Sequence, residues 1–206
     1  MNTISSAYSE LSKSKSEYVQ FYMKNHEQIP TWIMIKVVNF STFIDVLHNS
    51  KTTVTHAICK LYSMYDGHNL PNVKLLIGSL HWLRRVRNSC AHNERVYCIH
   101  QTQARNNSAS GRILDPYYAQ LPTSYSKCTE KNIFDILIYF KYFLPKEEFA
   151  PMIMELKNML IELQNTLQPN AFDNVRGQMG IKNLNVLDTL IDLPKSKIEY
   201  HKFDTL

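Results

Sequence analysis

The chain has little glycine, with five glycines among 206 residues. A sheet-rich fold with many tight turns needs more glycine, and a phosphate-binding loop needs glycines in close succession, which the sequence does not have. The sequence has no apolar run long enough to cross a bilayer, and residues 1–24 are too polar for a signal peptide. We therefore expect a helical protein of the cytoplasm with no membrane partner.

Cysteine is also sparse, and no two of the four cysteines form a Cys-x-x-Cys pair. A structural zinc site usually draws its ligands from such closely spaced pairs. Free and mostly buried thiols are the expected state of a reducing compartment. We therefore predict neither a metal nor a cofactor. The four cysteines are Cys59, Cys90, Cys98 and Cys128.

Acidic residues are almost missing from residues 67–114, where Glu94 is the single acid. Seven basic residues against this one acid give the segment a net charge of +6, which exceeds the +5 of the whole chain. Arginine pairs with phosphate oxygens through two parallel hydrogen bonds, so a local basic field of this kind predicts a nucleic-acid partner. The seven residues are Lys74, Arg84, Arg85, Arg87, Arg95, Arg105 and Arg112.

Apolar residues recur at helical spacing through most of the chain, which predicts an all-α fold. We find no repeat and no linker, and therefore expect one helical bundle over residues 1–206 with a long, basic central helix. The polar segment 101–126 is expected to be an irregular loop after that helix. Helices are predicted over residues 5–25, from Pro30 onward with a break near 39–41 and Ser41 as the cap of the next helix, and over 51–65, 72–99, 131–143 and 146–168. The apolar sides of these helices are expected to face inward. They contain Leu11, Tyr18, Phe21, Tyr22, Trp32, Ile35, Phe40, Phe43, Ile44, Leu47, Val54, Ile58, Leu61, Tyr62, Phe149, Ile153, Leu156, Leu160 and Leu163.

The central helix, 72–99, carries two kinds of side chain on neighbouring faces. At about 100° per residue, its apolar residues form one stripe, and Arg87 falls inside this stripe. Beside it runs a polar ridge with steps of four, three, four and three residues. We therefore expect Arg87 to border the core and Asn88 and His92 to share the ridge. The stripe contains Val73, Leu76, Ile77, Leu80, Leu83, Ala91 and Cys98, and the ridge contains His81, Arg85, Asn88, His92 and Arg95.

Arginine, asparagine and histidine together suit the cleavage of RNA by its own 2′-hydroxyl. Histidine moves protons near neutral pH, and a guanidinium holds the charge that gathers on phosphorus. In one helix Arg87 and His92 lie about 140° apart, so two antiparallel helices about a twofold axis would gather two such sets in one cleft. Two other readings stay open: a basic face that binds RNA without cutting it, and a helical protein whose ridge meets an acidic partner protein.

The order of residues from Trp82 to Arg95 resembles the "LRN-x-CAH-x-x-R" signature of the abortive-infection (Abi-like) proteins, which belong to the HEPN superfamily. Ile29 to Trp32 and Val38 to Ser41 are similar to that family's "PxW" and "SFG" elements. The resemblance spans about 18–193. The chain departs from the family at Ser41 in place of glycine, at Asn93 in place of a second histidine, and at 96–98. By this resemblance we also expect the family's N-terminal helical region to be largely absent.

The resemblance implies an all-α HEPN-like bundle that forms a homodimer with a composite active site. It implies a metal-independent endoribonuclease that acts as a toxin-like effector of phage defence, with RNA and an antitoxin, RNA or protein, as partners. Arg87 and His92 would be catalytic, with Asn88 supporting them. The alternative is a non-catalytic module that holds a regulatory RNA. The expected RNA-binding residues are Arg84, Arg85, Arg95, His81, Arg105 and Arg112.

Overall fold

The computed structural model describes residues 3–26, 29–102, 121 and 130–195. These residues are mostly α-helical, which confirms the predicted all-α class. The chain divides between Ala57 and Ile58 into two compact units, and each unit is described by itself. The expectation of one domain over 1–206 stays a prediction. The helices are α1 (Thr3–Lys13), α2 (Glu17–Asn25), α3 (Thr31–Val37), α4 (Phe40–His48), α5 (Thr52–Leu61), α6 (Val73–Ala91), a 3-10 helix (Val96–Cys98), α7 (Ile133–Phe143), α8 (Lys146–Thr166), α9 (Pro169–Gln178) and α10 (Asn185–Asp192). A short antiparallel pair joins β1 (Gln101–Thr102) and β2 (Glu130–Lys131).

The first unit begins with two helices where the sequence predicts one over 5–25. The chain leaves helical geometry at 14–16, between α1 and α2. This break shifts the helical phase, so that Val19 faces inward while Tyr18 and Phe21, which were expected to be buried, are exposed. Leu11, Val19 and Ile33 form the core cluster of this unit.

Asn39 caps α4, whereas Ser41 was expected to do so. The Asn39 side-chain oxygen accepts a hydrogen bond from the Thr42 amide at 3.0 Å, which satisfies one of the free donors of the first turn. The carboxylate of Glu10 on α1 accepts bonds from the Asn39 main-chain N–H at 2.7 Å and from the Asn39 side-chain amide at 2.6 Å. The predicted break near 39–41 is therefore confirmed, and it is also where α1 is tied to α4.

In the second unit, the apolar helix α7 is buried along most of its length. A capping box formed by Asn132 and Asp135 begins this helix. The Asp135 carboxylate accepts a hydrogen bond from the main-chain N–H of Asn132, and the Asn132 side-chain oxygen accepts one from the Phe134 amide, both at 3.0 Å. Helix α8 packs on α7 and on α10, and Phe149, Ile153 and Leu160 are buried, as the sequence predicts. The helices α9 and α10 were not predicted, since their apolar positions are few and their runs are short.

Other expectations are met in part. Helix α5 ends at Leu61, which is exposed together with Val54, although both were expected to be buried. Cys59 is buried, but Cys90 is exposed, so the thiols are not mostly buried as predicted. Cys128 and nearly all of the predicted loop 101–126 lie outside the described residues. Among the helices that the structure describes, none combines the length and the apolar character needed to span a membrane.

Candidate functional site

The basic helix α6 is anchored by its N-terminal half. The side-chain oxygen of Asn72 accepts a hydrogen bond from the Leu75 amide at 2.9 Å, so the predicted start at Asn72 is confirmed. Helix α6 contacts α7 and the 3-10 helix. The residues of α6 that are buried lie mainly before its last two turns: Leu75, Leu76, Ile77, Ser79, Leu80, Trp82 and Ser89.

Helix α6 ends at Ala91 and not near Ile99, because a Schellman motif closes it. The Glu94 amide donates to the Ser89 carbonyl at 2.9 Å, and the Asn93 amide donates to the Cys90 carbonyl at 3.1 Å. Asn93 takes the left-handed conformation that this motif requires, with a φ of 57°. His92 is therefore the C-cap residue. Arg95 lies beyond the helix, so the predicted ridge stops at His92.

Arg87 is exposed, and the expectation that it borders the core is wrong. Arg87 does lie on the predicted side of the helix. The eleven residues from Leu76 to Arg87 rotate the side chain by three full turns and only about 20° more, so the two residues point in nearly the same direction. Burial along this side ends early, however. Leu76 and Leu80 are buried, Leu83 is half-buried and Arg87 is exposed. Ser89, further along the helix and on the side of Trp82, is still buried, so neighbouring elements cover different sides of α6 at its two ends and leave Arg87 exposed.

Asn88 is linked to both of the other predicted catalytic residues. The guanidinium Nη1 of Arg87 donates a hydrogen bond to Asn88 Oδ1 at 3.0 Å. The main-chain N–H of His92 donates to the Asn88 carbonyl at 3.0 Å. All three side chains are exposed. The last turn of α6 thus presents a guanidinium, an amide and an imidazole to solvent within six residues.

The expected RNA-binding residues are in different environments. Arg85 is exposed, and its guanidinium carbon lies 5.2 Å from the ring centroid of Trp82, in a cation–π contact. Trp82 is buried and its indole Nε1 donates to the Asn132 carbonyl at 3.3 Å, which fixes the ring beneath Arg85. Arg95 is exposed at the start of the 3-10 helix, whereas His81 and Arg84 are half-buried. Arg105 and Arg112 lie outside the described residues.

A groove of about 550 Å³ follows the 3-10 helix, and no pattern in the sequence predicts it. Its histidine, His100, has Nδ1 at 3.2 Å from the Cys98 carbonyl oxygen. The groove takes residues from three separated segments, so no local pattern could reveal it. It is lined by Cys98, His100, Asn132, Asn174, Gly177 and Gln178. Among the described residues, no group of three or more His, Cys, Asp or Glu side chains could hold a metal ion.

These features describe an all-α protein with an Arg-Asn-His constellation at the exposed end of a basic helix. Residues 1–98 match the model of the Abi-like protein family. The expected resemblance to that family is therefore confirmed over these residues, which include Arg87, Asn88 and His92. The likeness beyond residue 98 stays a prediction. No curated protein and no solved structure matches the chain.

Proposed function

We propose that the chain is a metal-independent endoribonuclease that acts as a toxin-like effector of abortive infection. One observation carries the proposal. Arg87, Asn88 and His92 are exposed together at the end of α6, inside the segment that matches the Abi-like family. The basic charge of residues 67–114 supports RNA as the substrate, because phosphate contacts supply most of the affinity for nucleic acid.

The reaction needs only groups that this helix end carries. His92 accepts the proton of a ribose 2′-hydroxyl, and the 2′-oxygen then attacks the adjacent phosphorus. The bond from phosphorus to the 5′-oxygen breaks, and the protonated imidazole of His92 gives the proton that it accepted to the leaving oxygen. Arg87 pairs with the phosphate oxygens while negative charge gathers on them. The products would be a 2′,3′-cyclic phosphate and a 5′-hydroxyl.

A second copy of the chain would complete the site. Arg87 continues the side of α6 on which Leu76 and Leu80 are buried, yet it is exposed. Two copies of this side packed about a twofold axis would bring Arg87 of one copy towards His92 of the other. This arrangement suits the two side chains better than a single helix end, where they diverge.

The direct test is cleavage of labelled RNA by purified protein in EDTA, with end-group analysis of the products. We expect the wild type to leave cyclic phosphates, and His92→Ala and Arg87→Ala to lose activity by at least about 100-fold. His68→Ala is the matched control, because His68 is an exposed histidine in the loop before α6. Equal activity of wild type and His92→Ala would refute the proposed chemistry.

The exposed arginines Arg85 and Arg95 also suit an RNA-binding module without catalysis. That function predicts salt-sensitive RNA binding that survives His92→Ala, together with no cleavage by the wild type. For the effector role, induced expression should arrest growth with wild type and not with His92→Ala. Sequencing of RNA ends from the two cultures would then identify the target.

Mixing two inactive variants tests the composite site. If each site uses Arg87 of one copy and His92 of the other, an Arg87→Ala/His92→Ala heterodimer has one intact site. Random mixing should then restore up to about a quarter of the wild-type activity, since half of the dimers are mixed and each has one site of two. No recovery after subunit exchange, with exchange verified by light scattering or tagged copies, would mean that each site uses one chain.

A further inference from the structure

Four large aromatic side chains of the first unit face solvent, and three of them, Tyr18, Phe21 and Trp32, lie on α2 and α3. The exposed fractions are 42% for Tyr18, 57% for Phe21 and 52% for Trp32, although the sequence predicts all three to be buried. Together with Tyr22, His26 and Lys36 these residues form what we call the aromatic surface. Large exposed apolar groups gathered in one place mark binding sites.

The rings of the aromatic surface support one another. Tyr22 contacts the ring of Phe21 and the ring of Trp32 edge-on, with centroids 5.7 Å apart in both pairs. His26 is stacked on Tyr22 at 4.9 Å. Tyr22 is itself packed against the core cluster of this unit. The exposed rings therefore rest on a fixed base, which reduces the entropy that a bound ligand must overcome.

A lysine is placed among these rings. Lys36 Nζ lies 5.7 Å from the centroid of Tyr18 and 5.5 Å from that of Trp32. Helices α2 and α3 carry one acid, Glu17, at the first turn of α2, and two lysines, Lys24 and Lys36, both exposed. The surface thus combines exposed π faces with excess positive charge.

We propose that the aromatic surface binds single-stranded RNA, with bases stacked on Trp32, Phe21 and Tyr18 and backbone phosphates paired with Lys36 and Lys24. This inference rests on the proposed function and extends it to how the substrate is held. Proteins that bind single strands without sequence preference combine stacking rings with positive charge. A docked protein fits less well, because lysine is depleted from the cores of protein interfaces and Lys36 sits between two of the rings. A duplex fits less well too, since its bases are stacked inside.

Tryptophan fluorescence reports on this surface when Trp32→Phe protein, in which Trp82 alone emits, serves as the reference, because Arg85 contacts the Trp82 ring. The chain has two tryptophans, and Trp82 is 2% exposed whereas Trp32 is 52% exposed. Short oligouridine added at low salt should quench the emission of Trp32, and the matching oligouridine–oligoadenine duplex should quench it much less. His92→Ala protein is used throughout, so that cleavage does not consume the probe. Absence of quenching by the single strand, or equal quenching by the duplex, would overturn the proposal.

Affinity measured by fluorescence anisotropy of labelled oligouridine gives a second readout. Trp32→Ala should weaken binding roughly 5- to 150-fold, which corresponds to the loss of one stacked base. Ile35→Ala is the matched control, since Ile35 is a 57% exposed side chain of the same helix without a π face, and it should change affinity less than about twofold. Equal effects of the two substitutions would contradict stacking. Urea unfolding of both variants guards against a folding defect.

Lys36→Gln tests the charge without removing the bulk of the side chain. It should lower the slope of log affinity against log salt by about 0.7, the value for one phosphate contact on a single strand. An unchanged slope would exclude Lys36 from phosphate contact. If oligouridine does not bind and Trp32→Ala instead changes the oligomeric state, the surface is a protein interface and the RNA proposal is wrong.

The two proposals fail separately. If the wild type cleaves RNA and Trp32→Ala does not change RNA binding, the proposal for the aromatic surface is wrong and the ribonuclease proposal stands. If the wild type does not cleave RNA but binds oligouridine in a way that depends on Trp32, the ribonuclease proposal is wrong and the proposal for the aromatic surface stands.

Discussion

Asn88 lies between Arg87 and His92 in sequence and is hydrogen-bonded to both, by its side chain to the first and by its carbonyl to the second, each at 3.0 Å. The bond to Arg87 restricts a long side chain that otherwise has many rotamers, and a guanidinium held in place loses less entropy when it meets a phosphate. Asn88 therefore serves the proposed reaction as a positioning residue for Arg87.

Asn88→Ala should lower kcat for RNA cleavage about 2- to 12-fold, the range expected for the loss of one hydrogen bond. Asn88→Asp keeps the acceptor for Arg87 but adds a negative charge near the phosphate, so we expect its main effect in a raised KM. Steady-state kinetics on a fluorogenic RNA separates these two effects. A full kcat in Asn88→Ala would show that Arg87 needs no support from this side chain.

The end of α6 is a feature that the periodicity of apolar and polar residues does not predict. The apolar and polar spacing continues past Ala91, so a helical wheel extends the helix to 99, although the helix closes at His92. The signal for closure was the residue type at Asn93, because asparagine tolerates positive φ better than most residues. The start at Asn72 and the helices α7 and α8 were predicted correctly, since caps and long apolar runs are local signals.

Burial was predicted less well than helicity. A wheel gives the direction of a side chain but not how far the neighbouring helix reaches, and so Arg87 and Leu83 proved more exposed than expected. The helix break at 14–16 likewise reversed the environments of Tyr18 and Val19. The covering of α6 depends on other elements of the chain, which a helical wheel does not include, whereas the break at 14–16 carries local hydrogen bonds from the Ser16 amide to Ser14 Oγ and from the Gln20 side chain to the Ser14 carbonyl.

Asn93→Val should reduce the free energy of unfolding by about 1–2 kcal/mol, the cost of a left-handed residue with a branched Cβ. Asn93→Gly should be neutral within a few tenths of a kcal/mol, because glycine adopts positive φ freely. Urea unfolding followed by circular dichroism measures both. Since the Schellman motif also fixes His92, Asn93→Val should cleave RNA more slowly.

Asn93→His is the informative third variant at this position. Histidine is also enriched at positive φ, so we expect the stability of Asn93→His to lie nearer to wild type than to Asn93→Val. An Asn93→His protein as unstable as Asn93→Val would mean that the asparagine side chain contributes more than its backbone preference.

The thiols should differ in reactivity. Burial raises the pKa of the Cys59 thiol, whereas Cys90 is exposed on the last turn of α6. At pH 7.5 a maleimide should modify Cys90 about tenfold or more faster than Cys59, because Cys90 is accessible, whereas Cys59 is buried and its raised pKa lowers its thiolate fraction. Mass spectrometry of peptides taken at successive times measures the two rates.

A maleimide adduct on Cys90 should also block RNA cleavage, because Cys90 lies three residues after Arg87 at the exposed end of the helix, and residues three apart are neighbours on a helix surface. Cys90→Ser should cleave RNA like the wild type and should keep its activity in the presence of the reagent. Equal inhibition of Cys90→Ser would assign the effect to another thiol and would separate Cys90 from the site.

Asp66 makes the stability of the loop before α6 depend on pH. The Leu70 amide stabilises the charged carboxylate and thereby lowers the pKa of Asp66, with a further contribution from the His68 amide, and both amides donate to Oδ1 at 2.9 Å. Because the pKa is lower in the folded state, the stabilisation is fully present above the unfolded aspartate pKa of about 3.9. It is lost as the pH falls through the lowered value.

Asp66→Asn should therefore be less stable than wild type at pH 6, and the difference should shrink towards pH 3. Urea unfolding at pH 6, 5, 4 and 3 measures this difference. His68→Ala retains the main-chain N–H groups, so it should keep most of the dependence that Asp66→Asn removes, and a constant difference between wild type and Asp66→Asn at all four pH values would contradict the role of this carboxylate.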